Sequence, residues 1–179
     1  SNVTITRYIG GSQDPEVPQV IDGINVTRIG PYAFSASDIV SVRLPSTLQA
    51  IDTYAFAYCE NLASVSIPAS VRTINNYAFA YCTSLAAANI APSSGLLSTL
   101  GWGVFMGCSA LEQIIIPETV STMGGQVFKD CKSDLTIIVR HTLSAGEPAS
   151  VPNGFNNQWN MKGYLNGVAQ FYQFVWQRA

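Results

Sequence analysis

Ile51-Asp52-Thr53-Tyr54-Ala55-Phe56-Ala57-Tyr58-Cys59 returns further along the chain as Ile74-Asn75-Asn76-Tyr77-Ala78-Phe79-Ala80-Tyr81-Cys82, and this match decides the fold. Working outward, the same pattern opens at Ile29-Gly30-Pro31-Tyr32-Ala33-Phe34, Leu100-Gly101-Trp102-Gly103-Val104-Phe105 and Met123-Gly124-Gly125-Gln126-Val127-Phe128. A Cys stands shortly after each of the last four Phe, at the same offset every time: Cys59, Cys82, Cys108 and Cys131. Each copy continues to an apolar anchor and an alternating run, most clearly Leu62-x-x-Val65-x-Ile67-Pro68 and Leu111-x-x-Ile114-x-Ile116-Pro117. Ile39-x-x-Val42-x-Leu44-Pro45 and Leu85-x-x-Ala88-x-Ile90 are further copies. Self-similarity at a fixed period of about 23 residues marks a stacked array of small units.

Each repeated position has a physical reading. Val65-x-Ile67 alternates as a short strand with one buried face. Pro68 ends it, because proline has no N–H to donate to a ladder. The residue after each Ile, Leu or Met anchor is Gly30, Asp52, Asn75, Gly101 or Gly124, a set that either accepts a left-handed backbone or caps a helix. Pro31 favours the cap, since proline suits the first helical position. Tyr-Ala-Phe is then expected to be a helical turn with its Phe inward. One such unit cannot bury its apolar side alone, whereas stacked units bury a continuous one.

The pattern resembles the BspA-like class of bacterial leucine-rich repeats over residues 24–140. The resemblance implies an α/β leucine-rich repeat solenoid, with parallel strands on the concave face, a short helical turn on the convex face and a period of about 23 residues. Residues 1–24 are expected to be an N-terminal cap with a first partial repeat, and residues 25–140 an array of five copies. Residues 141–179 are expected to be a C-terminal cap, with the start of a second module as the alternative. Val3-Thr4-Ile5-Thr6-Arg7-Tyr8 alternates as a strand that pairs with the first unit, and Asn166-Gly167 signals a two-residue hairpin turn. Pro152-x-Gly154-Phe155-x-x-x-Trp159-Asn160 is similar to a terminal element of such arrays. Ser1-Asn2-Val3 reads as the start of a processed or excised chain.

Composition narrows the function. Of 179 residues, 47% are apolar and 11% charged, so a core is available and the surface is coated largely with neutral polar groups. Nine Lys and Arg against eleven Asp and Glu leave no basic excess for nucleic acid. No apolar run approaches the roughly 18 residues of a membrane span. The four Cys follow the repeat period without a Cys-x-x-Cys pair, so zinc-type spacing is absent. They read as buried thiols, with a disulfide or a metal as the alternatives. His141 is the only histidine and no nucleophile motif surrounds it. The acids are scattered singly, and Asp130 and Asp134 stand beside Lys129 and Lys132 as a charged turn. No phosphate-binding glycine loop appears. The chain is read as a non-enzyme with no cofactor and no metal site.

Surface residues remain. Strand alternation turns Ser41, Arg43, Ser64, Ser66, Ala87, Asn89, Gln113 and Ile115 outward, and six of them are the candidate binding row: Ser41, Arg43, Ser64, Ser66, Asn89 and Gln113. A second candidate is an aromatic column of Tyr32, Tyr54, Tyr77 and Trp102, with a shorter one of Tyr58 and Tyr81, because aromatic rings supply contact area at low entropy cost. The resemblance implies an extracellular or cell-surface adhesion module that engages a host matrix protein, mucin or cell-surface glycan. A structural spacer is the alternative, and a carbohydrate-active enzyme is disfavoured because no column of the repeat carries acids or bases.

Overall fold

The computed structural model describes residues 2–91, 96–117 and 119–141, and the backbone of the strands within 162–178. In chain order the strands are β1 (Val3–Ile5), β2 (Val20–Ile21), β3 (Ile24–Ile29), β4 (Ala50–Ile51), β5 (Ser64–Ile67), β6 (Thr73–Ile74) and β7 (Ala87–Ile90). They continue as β8 (Thr99–Leu100), β9 (Gln113–Ile116), β10 (Thr122–Met123), β11 (Thr136–His141), β12 (Lys162–Leu165), β13 (Val168–Phe171) and β14 (Gln173–Arg178). From β4 onward each coil contributes one strand to each of two sheets of parallel strands, whereas in the first coil residues 39–44 carry only an isolated bridge between Arg43 and Glu16. The narrow sheet runs β1-β3-β4-β6-β8-β10, with β2 hairpinned onto β3, and the broad sheet runs β5-β7-β9-β11-β14.

The alternation read from the sequence is seen directly in β5, where Ser64 and Ser66 are exposed and Val65 and Ile67 buried. Pro45, Pro68 and Pro117 turn the corner out of the broad sheet. Their carbonyls accept the N–H groups of Leu48, Val71 and Val120. The opposite corner follows the Cys, whose carbonyl accepts the N–H of Leu62, Leu85 or Leu111. In the last copy Leu135 bonds Lys132 instead, which absorbs the one-residue delay after Cys131.

The segment expected as a helical turn is a ladder of turns, and none of the described residues is helical. Ala55, Ala57 and Cys59 donate to the carbonyls of Asp52, Tyr54 and Phe56, which gives overlapping four-residue turns. The intervening N–H groups of Tyr54, Phe56 and Tyr58 donate across to Asn76, Ala78 and Ala80 of the next coil. A helix keeps its N–H groups for its own carbonyls. Here half of them are committed to the neighbouring coil, and Tyr54 and Tyr58 take positive φ of 57° and 62°. Gly30, Asp52 and Asn75 therefore start a turn rather than cap a helix.

The core consists of columns. Phe34, Phe56, Phe79, Phe105 and Phe128 stack with centroids 4.9 to 6.0 Å apart. Tyr8 closes the N-terminal end of that column 5.0 Å from Phe34. Ile29, Ile51, Ile74 and Leu100 form a second column, and Ile39, Leu62, Leu85, Leu111 and Leu135 a third, all essentially without solvent contact.

The alternation over Val3–Ile5 predicts a strand against the first unit, and β1 pairs parallel with β3. At the other end, β12 pairs antiparallel with β13, Leu165 opposite Val168, and β14 pairs parallel with β11. Asn166, Gly167, residues 152–160 and residues 92–95 lie outside the described residues.

Candidate functional site

The cysteines form the first repeated polar column. Each thiol donates to the carbonyl of the Phe one coil back: Cys59 to Phe34, Cys82 to Phe56, Cys108 to Phe79 and Cys131 to Phe105, at 3.0 to 3.2 Å. Ser37 holds the same position in the first copy. Its hydroxyl donates to Phe34 at 2.7 Å and lies 3.5 Å from the Cys59 sulfur. All four cysteines are free and buried. Burial is the main cause that pushes these thiols up, Cys131 to about 12 and Cys82 and Cys108 well above the ordinary value. A thiol held neutral is neither a nucleophile nor a metal ligand. Among the described residues no cluster of His, Cys, Asp and Glu has a metal-binding arrangement.

On the broad sheet, register aligns Ser64 with Ala87, Ala87 with Gln113 and Gln113 with Thr136. Ser66 pairs with Asn89. Ser64, Ser66, Asn89 and Gln113 are exposed, so the fold brings these four candidates onto one face. Ser41 and Arg43 extend the row toward the N-terminus, but the segment 13–17 runs alongside them. Ser41 donates to Asp14 at 2.7 Å, and Arg43 pairs with Glu16 at 3.3 Å. Toward the C-terminus the row becomes apolar, with Ile115 half-buried and Ile138 only 7% exposed.

The aromatic candidates divide differently from the expectation. Tyr32, Tyr54 and Tyr77 stack with centroids 5.1 and 5.0 Å apart, and Tyr58 stacks on Tyr81 at 5.0 Å. Burial, then the neighbouring tyrosines, raise the pKa of Tyr54 and Tyr81. Trp102 is not in the column. The position after Tyr77 belongs to Gly103, whose φ is +56° and above which the Tyr77 ring lies so closely that a Cβ would meet it at 2.5 Å. Trp102 stands one residue earlier, in register with Asn76: its N–H bonds the Asn76 Oδ1 at 2.9 Å, and its ring covers Gly125. Counting back from Phe105 rather than matching ring to ring assigns both residues correctly.

One polar cluster escapes the reading of the sequence. Asp52 is 7% exposed and receives Arg28 on both carboxylate oxygens, at 2.7 and 2.8 Å, and the Asn75 amide at 2.8 Å. Its signal is the Asp-to-Asn column at the turn start. The cluster is a tie between three coils, with both carboxylate oxygens already engaged. Lys132 and Asp134 form an exposed pair at 3.6 Å, as the charged-turn reading requires.

Two parallel strands per coil, proline and cysteine corners and a Phe ladder define a leucine-rich repeat solenoid. The BspA type leucine rich repeat region matches residues 17–138 in six copies, one more than the five counted from the Phe positions, and the chain belongs to that family. Among solved structures, a Treponema pallidum leucine rich repeat protein is 34% identical with a TM-score of 0.72. The match covers 78% of this chain and 63% of that one. The pneumococcal vaccine antigen PcpA (20% identity, TM-score 0.54, 75% of this chain and 43% of that one) shares the fold. So does a Bacteroides ovatus leucine-rich repeat protein (24% identity, TM-score 0.50, 72% and 39%). Among curated proteins none matches. No helix among the described residues is long and apolar enough to cross a membrane.

Proposed function

We propose that the chain is a non-catalytic binding module of a bacterial surface or secreted protein, engaging a host matrix protein, mucin or cell-surface glycan through its solenoid surface. In this reading residues 1–24 and 141–179 act as caps on the array. The observation that carries the proposal is the row Ser64, Ser66, Asn89 and Gln113, exposed side by side on a sheet whose backbone hydrogen bonds are used between coils. Such a row is held rigid before any partner arrives, so little ordering entropy is lost on contact. The row is neutral, so association is expected to respond weakly to salt. The family resemblance supports the surface or secreted location.

The test is a binding screen of the purified chain against extracellular-matrix proteins, mucin and a glycan array. Saturable binding that Ser66→Ala or Asn89→Ala weakens, with unfolding unchanged, supports the proposal. Silence across the panel by a folded chain contradicts it and favours a spacer.

A further inference from the structure

A groove of about 370 Å³ lies between the N-terminal arm, residues 7–13, and the first turn ladder, residues 32–38. Both walls are fixed by hydrogen bonds. The Tyr8 N–H donates to Ala33 at 2.6 Å, the Tyr8 hydroxyl to the Ser12 carbonyl at 2.7 Å, and the Val40 N–H to Gln13 at 2.7 Å. The Tyr8 ring is further pinned on Phe34. The groove is therefore present before any ligand binds.

Its lining has three parts. Tyr32 is the first ring of its column, stacked on Tyr54 by one face and 59% exposed. No ring among the described residues stacks on its other face. Arg7 and Asp38 line the same groove, and neither forms an ion pair among the described residues. Gly10 and Gly11 are exposed along the groove, and the Ser35 hydroxyl, which donates to Ala57, has an oxygen that can also accept.

An open aromatic face beside one cationic donor and one anionic acceptor suits a ligand with an apolar face and a rim of groups that both donate and accept. A pyranose ring has that form: its axial C–H bonds present an apolar face and its hydroxyls a polar edge. The two charges of the lining cancel, which favours a neutral sugar over an acidic one. The volume lies near the lower end of the roughly 300–1,000 Å³ typical of small-ligand sites. That is room for one or two sugar rings.

We infer that this groove is a subsite for a neutral pyranose at the end of a glycan, with Tyr32 as the stacking platform and Arg7 and Asp38 as the hydroxyl-binding pair. The inference rests on the binding-module reading and names one ligand class and a location for it, separate from the Ser64 to Gln113 row.

The experiment is an amide-resolved NMR titration of the whole chain with galactose, glucose, N-acetylglucosamine and sialic acid, with glycerol as the control for nonspecific polyol effects. The expected result is a saturable shift of residues 7–13 and 32–38 by a neutral sugar and not by glycerol. Tyr32→Asn, which keeps a residue that tolerates positive φ, should weaken the binding about tenfold or more while signals from β5 to β9 stay in place. Asp38→Ala, on the exposed rim, should weaken it as well. No saturable shift in the groove, a response to sialic acid alone, or neutral-sugar binding unaffected by both variants would overturn the subsite. Matrix-protein binding through Ser66 and Asn89 alongside a silent groove would overturn the subsite and leave the module reading intact. A responsive groove with a silent macromolecular screen would uphold the subsite and overturn the Ser64 to Gln113 row as the binding surface.

Discussion

At the scale of single residues, the cysteine column shows how a repeat selects a side chain. The position is buried, faces the carbonyl of the preceding coil's Phe, and asks for a small apolar group with one weak donor; a thiol meets all three conditions. The position was legible from period alone, because a regular repeat places Cys over Cys, whereas the acceptor was not, since it belongs to another coil. The raised pKa has a consequence for stability. Unfolding releases thiols that ionise near the ordinary value of 9, while in the folded chain Cys131 holds its proton to about 12. The folded state therefore binds more protons than the unfolded one between those values, and stability falls as pH rises above about 9. Urea titrations from about pH 7 to about pH 10 should show a declining midpoint, and Cys131→Ala should make the decline shallower. A midpoint that is flat across this interval would mean that the thiols are not buried. Trp102 carries the opposite lesson. Matching it to the tyrosines by chemistry misplaced it by one residue, where the count from Phe105 puts Gly103 under Tyr77.

At the scale of elements, the turn ladder is where local reading stops. Gly30-Pro31 and Asp52 are good helix-start signals, and a segment this short has too little periodicity to contradict them. What decides the conformation is the use made of the N–H groups of Tyr54, Phe56 and Tyr58, and that depends on the next coil of the array. The β2–β3 hairpin went unread in the sequence, although Asp22-Gly23 has the composition of a two-residue turn and both residues adopt positive φ, 51° and 75°. Two ion pairs allow a comparison between elements. Arg43 and Glu16 are 76% and 69% exposed, so Arg43→Ala should change stability by less than about 1 kcal/mol. Arg28 is half-exposed, but its partner Asp52 is 9% exposed at the side chain and ties three coils together. Arg28→Ala strands that carboxylate and should cost more than Arg43→Ala in the same chemical denaturation series. Equal costs would show that Asp52 is hydrated in the folded chain.

At the scale of the whole molecule, a solenoid has no centre, and its stability is a sum of neighbour-to-neighbour contacts. Extra segments lie along both ends of the broad face. Residues 13–17, with Pro15 and two acids, lie along the first copy of the broad sheet, and β14 lies along β11. Period, core columns and the outward row of Ser64, Ser66, Asn89 and Gln113 were all legible because each follows from register alone. The groove beside Tyr32 was not, because it depends on where the arm after Tyr8 returns to the array. Every surface assignment rests on one register, with the Phe column inside and the Tyr columns outside. The most direct measurement of it is equilibrium unfolding of Phe79→Ala beside Tyr58→Ala. Phe79 is fully buried and stacked on both sides, so its loss should destabilise by roughly 3–5 kcal/mol. Tyr58 is 47% exposed, and its loss should cost about 1 kcal/mol or less. Equal effects, or a larger effect at Tyr58, would contradict the register and every surface assignment that rests on it.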